Sequence, residues 1–208
     1  MRNHHVRIVG IGLLGIILAT GCASKGERIY LTIPIVSGAG EKVIAMSSPT
    51  VAIHPFEDQR TDRSHLGTKH DLWGGDNHFS LANGTLSEAT AEALTDYLIG
   101  KGWNATVAKG DGAARTDITI TGTLIEVGVD AKSGIGQTTL NAKTRMVVQV
   151  QNHADGSQVR ETLTSTGASK VFWFDPEDAQ ELLNELYNKS FEKFVKDTKF
   201  DGTILKLR

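Results

Sequence analysis

DITITGTLIEVGVDAKSGIGQTTLNAKTRMVVQVQNHADGSQVRETLTSTGAS, residues 117–169, is the stretch that decides the fold. Ile118 and Ile120 alternate with Thr119 and Thr121, the period of a half-buried strand. The apolar parity inverts at Leu124-Ile125, after which Ile125, Val127 and Val129 carry the face. An inversion inside one strand requires an extra residue, so the pattern predicts a β-bulge there. Ser133-Gly-Ile-Gly136 is a turn, and Asn141 to Gln151 alternates again through Ala142, Thr144, Met146, Val148 and Val150. His153-Ala-Asp-Gly156 is a hairpin turn with Asp155-Gly156 as its signal. Gln158 to Ser169 alternates more weakly, as a half-exposed edge strand does.

Outward from this meander, two helices bracket it. Asp175 caps the later one and Pro176 takes its first position, where the missing amide costs nothing. Ala179, Leu182, Leu183, Leu186, Tyr187, Phe191, Phe194 and Val195 then recur at helical spacing. The chain ends with the apolar residues Ile204, Leu205 and Leu207. Upstream, Thr85 and Glu88 have the spacing of a capping box. Leu86, Thr90, Leu94, Tyr97 and Leu98 form one face, and Gly100 and Gly102 stop the helix. Trp103, Ala105 and Val107 read as a short strand, and Pro49 to Phe56 as the first core strand. The order strand, helix, strand, meander, helix predicts a two-layer α/β (α+β) sandwich. Its sheet is mixed and mainly antiparallel, with both helices on one face. A right-handed crossover makes the first two core strands parallel neighbours. Residues 50–208 read as one domain. Ser64 to Asn83, polar and rich in Gly, His and Asp, reads as a long loop or insertion. Within residues 22–49, Ile29, Leu31, Ile33 and Ile35 fall on one parity and read as an edge strand or an extended tether, since Pro34 cannot donate to a ladder.

The chain has 208 residues, a formal net charge of −2 and 39% hydrophobic residues. This is globular composition, without the basic excess that nucleic-acid binding uses. A single cysteine excludes an intramolecular disulfide framework and zinc sites built on several thiolates. Its position is informative. Arg2 and Arg7 flank His4 and His5, and Ile8 to Ala19 follow without a charge. A helix of that length spans about 18 Å, against about 30 Å for a bilayer core. Residues 1–21 therefore read as a cleaved signal peptide rather than a span.

Leu18-Ala19-Thr20-Gly21-Cys22 resembles the lipobox of bacterial lipoproteins, with Leu18 one place earlier than is usual for the family. The resemblance implies a diacylglycerol on the Cys22 thiol, cleavage before Cys22 and acylation of the new amine; no other cofactor is expected. Acylation also removes an unpaired reactive thiol. Two arginines leave with the leader, so the mature part has 20 basic against 24 acidic residues, a charge of −4. Ala23, where an Asp commonly retains such proteins in the inner membrane, implies anchoring in the outer membrane with the domain on the periplasmic side.

A strand running into Asp58-Gln-Arg-Thr-Asp62, a Leu-rich helix ending in Lys101-Gly102-Trp103 and a Thr-rich strand beginning Asp117-Ile-Thr-Ile together resemble the YajG-type lipoproteins. That bacterial family has no characterised function. The likeness runs from about Val51 to Val195, with Gly67 to His78 departing from it as a local insertion.

The candidate partner-binding residues are Asp58, Arg60, Asp62, Arg63 and Trp73. Alternating charges at a strand end serve recognition or form local pairs that shape the turn. An exposed Trp in a Gly-rich loop anchors an interface, or packs back over the sheet. Trp173, within Val171-Phe-Trp-Phe174, reads as core or a hydrophobic staple rather than a ligand platform. His65, His70 and His78 are weak metal candidates, because their spacing matches no compact ligand motif. No nucleophile elbow, zinc-protease helix or phosphate loop is present. The sequence thus predicts a non-enzymatic envelope component whose partner is an envelope protein or peptidoglycan. The alternatives are a small-molecule or lipid-binding protein and a metal-dependent hydrolase.

Overall fold

The computed structural model describes residues 26–33, 48–108 and 116–208. The predicted signal peptide, Cys22 and most of the predicted tether lie outside the described residues. The fold is organised by one long strand. β7 (Ile118–Gly134) pairs along one edge with β8 (Gln137–Asn152), which pairs with β9 (Gln158–Val171). All three are antiparallel, and β9 is an edge, as expected. The register shifts between Leu124 and Glu126, so the predicted bulge is present. Ile125 is its extra residue and only half-buried, and Leu124 and Val127 carry the inner face on either side.

The other edge of β7 is shared by three short strands. β2 (Thr50–Ile53) pairs with its start, β3 (Glu57–Asp58) with its middle and β4 (Gly67–His70) with its end, all parallel. β2 also pairs in parallel with β6 (Asn104–Val107), through the expected crossover helix α1 (Leu86–Gly100). β4 turns back into β5 (Asp76–Leu81), and β1 (Arg28–Leu31) lies parallel to β5. The stretch expected as a loop from Ser64 to Asn83 is therefore largely a β-hairpin, tied into the sheet at both edges. Its strands are four and six residues long, and of them only Asn77 and Phe79 are buried, so alternation hardly shows in the sequence. β1 lies at an edge and covers the first part of the stretch read as an edge strand or tether; Pro34 and Ile35 lie outside the described residues.

Both helices cover one face. α2 (Pro176–Asp197) packs on β8 and β9, and α1 on β2 and β6. The Thr85–Glu88 capping box is formed on α1, and Asp175 with Asp178 forms another on α2. The helices meet through a buried hydrogen bond between the Thr90 and Tyr187 hydroxyls at 3.0 Å. Burial pushes the Tyr187 phenol well up, against the pull of Thr90. Leu124, Met146 and Leu163 form a fully buried row across β7, β8 and β9. Phe56 lies over Gly122, where any Cβ would come within 2.7 Å of the ring. The opposite sheet face carries Thr, Lys, Arg and Gln and is open to water, as antiparallel sheets permit. The chain ends in a hairpin that the sequence did not reveal, β10 (Thr198–Asp201) and β11 (Ile204–Leu207). The Asn152 side chain holds it, donating to the Leu205 carbonyl at 2.9 Å and accepting from the Leu205 amide at 2.8 Å.

Candidate functional site

β3 delivers the charged segment Asp58–Leu66 to the bulged middle of β7. Asp58 accepts from the Arg60 amide at 3.1 Å, which closes a tight turn. It also receives Nε at 3.0 Å and a terminal nitrogen at 3.0 Å, a bidentate pair. The other terminal nitrogen of Arg60 donates to the carbonyls of His65 at 2.9 Å and Val127 at 3.3 Å. Arg60 is only 8% exposed. Its guanidinium thus joins β3, the entry to the β4–β5 hairpin and the bulge of β7. Burial raises the Asp58 carboxyl, but the Arg60 hydrogen bonds and the Arg60 and Arg63 charges outweigh it and hold the group below the usual carboxylate range. Arg63 donates to the Asp58 carbonyl at 3.3 Å.

Just beyond, the backbones nearly touch. Gly67 sits at φ +136°, and a Cβ there would lie 1.9 Å from the Val129 carbonyl oxygen. The hairpin enters the sheet here only with glycine at that position.

Asp62, Ser64 and His65 lie together, but not as a nucleophile, base and acid. Ser64 donates its hydroxyl (2.6 Å) and its amide (2.8 Å) to one oxygen of Asp62. His65 Nε2 lies 3.2 Å from the other oxygen. His65 Nδ1 accepts from the Gly67 amide at 3.1 Å, which assigns the ring proton to Nε2. Both partners point at the carboxylate, and the imidazole lone pair is already used. No base is therefore aimed at the Ser64 hydroxyl. These bonds from Ser64 hold the exposed Asp62 carboxyl below its usual range.

The three candidate histidines do not converge. His65 stacks on His78 with ring centroids 4.6 Å apart, whereas His70 pairs with Asp76 at 2.8 Å near the hairpin tip. Among the described residues, no three His, Cys, Asp or Glu side chains are grouped to hold a metal ion.

What faces outward is a shallow polar concavity of about 860 Å³ on the open sheet face, beside this segment. Asp62, His65, Glu126, Asp130 and Lys143 line it, with Glu126 and Lys143 paired at 2.7 Å. Trp73 does not belong to it. Leu66 bonds to Phe79 at one end of the hairpin, and Trp73 lies in the turn at the other end. The stretch Asp58–His78 is therefore two surfaces rather than one. Trp73 is 93% exposed, and Trp173, read from sequence as core or a staple, is 82% exposed. In its place Phe174 packs inward, 6.0 Å from Phe79. Position in a turn rather than in a strand was the only sequence signal for these exposed rings.

No protein-family model matches the chain, and no curated relative matches it in sequence. Solved structures do resemble it. An uncharacterised protein superposes with a TM-score of 0.50 at 8% identity, over 83% of this chain and 98% of that one. A Xanthomonas campestris protein of the family model DUF330 gives 0.49 at 12% identity, over 81% and 92%. Lipoprotein GNA1162 from Neisseria meningitidis gives 0.37 at 12% identity, over 71% and 99%. At these identities the first likeness speaks to the fold alone: the α+β layout recurs in another solved protein, nearly end to end.

Proposed function

We propose that this chain is a lipoprotein of the YajG type, anchored in the outer membrane through acylated Cys22, whose periplasmic domain binds another envelope component without catalysing a reaction. The observation that carries the reading is the run Ile8–Cys22, uncharged, too short to cross a bilayer as a helix, and closed by small residues before a cysteine. Among the described residues no helix is long and apolar enough to cross a membrane. Binding rather than catalysis is supported by the geometry of the polar segment. Asp58 and Arg60 satisfy each other inside the fold, and Ser64 and His65 are both turned on Asp62. The groups left outward, Asp62, Glu126, Asp130 and Lys143, make a polar concavity suited to an extended peptide or a glycan. The test is in-cell photocrosslinking from positions 62 and 143, with position 188 on the solvent side of α2 as control. The reading expects one envelope partner captured from 62 and 143 and not from 188. The same faint pattern at all three positions would remove the concavity as the binding surface.

A further inference from the structure

The sheet has one end that is apolar and, among the described residues, uncovered. Three connections meet there. The β4–β5 turn carries Leu72 and Trp73, the β7–β8 turn carries Ile135, and the passage from β9 into α2 carries Phe172 and Trp173. The strand registers place them together, because His70 pairs with Lys132, Gly134 with Gln137, and Thr138 with Val171. Trp73 and Ile135 are each 93% exposed, Trp173 82% and Phe172 71%. Large apolar side chains grouped in this way at three adjacent turns mark a contact surface. The turns have nothing to gain from them, since polar residues fill such positions more cheaply.

The chain enters the sheet at this same end. Gly26 donates to the Asp76 carbonyl at 2.8 Å, directly beside the turn that holds Trp73. Gly26 lies only four positions after Cys22. A fully extended chain of that length reaches about 14 Å. Lipid on Cys22 would therefore hold this end, and no other, against the bilayer.

The charges at this end fit that neighbour. Asp71 is bound by Lys69 and by Asn77 Nδ2, Asp76 by His70, and Asp175 and Asp178 by the α2 cap, which leaves Glu27 and Glu177 as the exposed carboxylates at this end. Lys132 and Lys170 are exposed and both face Thr139 across the open sheet face, one row behind the apolar turns. Lysine stems at that depth reach the headgroups, while Trp rings favour the boundary between headgroup and acyl chain.

We propose that the sheet end bearing Leu72, Trp73, Ile135, Phe172 and Trp173 is a lipid-facing surface, seated in the interface of the same leaflet that holds the acyl chains of Cys22. It is a second membrane signal beside the covalent one, and it orients the domain: strands stand off the membrane, and the polar concavity faces sideways into the periplasm. This inference rests on the lipoprotein reading above.

The test uses the chain purified from cell membranes and reconstituted into vesicles of phosphatidylethanolamine and phosphatidylglycerol, part of it brominated in the acyl chains. Bromine quenches only indoles that touch the interface. The expected result is strong quenching of the wild-type chain and none of the W73S/W173S chain, which retains only buried Trp103. For chains also carrying Cys22→Ala, and so dependent on the protein surface alone, W73S/W173S is expected to weaken vesicle binding about tenfold, in proportion to the apolar area withdrawn. The mass of the amino-terminal peptide, read on the same sample, separates the two claims. Acyl chains present with wild-type fluorescence unquenched overturns the lipid-facing end and leaves the lipoprotein reading standing. A peptide without acyl chains overturns both. Concentration-dependent dimerisation that W73S/W173S abolishes, with no quenching, assigns the surface to a second copy and overturns the proposal.

Discussion

The two edges of β7 reach the same end by different means. On one side β8 and β9 form an uninterrupted antiparallel ladder, with a single shift at the bulge. On the other, β2, β3 and β4 hold only three, two and two register positions. What the second edge lacks in ladder it makes up in side-chain stitching: the Arg60 guanidinium on two carbonyls and a carboxylate, and a Gly67 backbone that almost touches Val129. The long edge is stabilised by many small additive terms. The short edge depends on a few positions, each difficult to replace.

That contrast sets the order of expected effects. Gly67→Ala is expected to be the most damaging, because it adds left-handed strain to an overlap with a backbone oxygen. A loss of about 4 kcal/mol or failure to fold follows, read by urea unfolding. Leu163→Ala, on the long edge, opens a cavity and is expected to cost about 3 kcal/mol in the same measurement. Tolerance of Gly67→Ala alongside a severe Leu163→Ala would reverse the comparison. Arg60→Met strips Asp58 of its partner and leaves two carbonyls unfilled, at about 2 kcal/mol.

The Asp58 pair also predicts a pH dependence. Because the folded carboxyl is held below its ordinary value, its contribution is complete above the ordinary carboxylate range and is lost as pH falls through the lowered value. Unfolding curves across the acid range should show that slope in the wild type and a flatter one in Arg60→Met. Equal slopes would remove the latch. The smallest effect is expected from Trp73→Ser, within about 0.5 kcal/mol of wild type, since the ring is 93% exposed. A clear fall in melting temperature would show that the ring packs on the protein.

The same contrast decides what was legible in the sequence. The long edge was readable, bulge included, because period-two alternation over 14 to 17 residues leaves few alternatives. The capping residues Thr85 and Asp175 were readable because caps are local. The short edge was not. β4 meets β7 about sixty residues away and β5 meets β1 about fifty residues back, and their sequences GTKH and DNHFSL hardly alternate. The inward turn of Arg60 was equally hidden, since it depends on the Val127 carbonyl 67 residues on. The Asp-Gln-Arg-Thr-Asp string was found by its resemblance, but its chemistry was not: Asp58 and Arg60 face each other, and only Asp62 and its neighbours face outward. The exposed rings of Trp73 and Trp173 escaped because periodicity describes elements, while these residues lie in connections.

In the lipoprotein reading, a lipid on Cys22 holds one defined end of this sheet at a membrane. The most direct test is incorporation of labelled palmitate in cells expressing the wild-type chain or Cys22→Ala. Label is expected in the wild-type protein, recovered with the outer membrane, and none in the variant. An unlabelled wild-type chain, or a variant that retains the label, would contradict that reading.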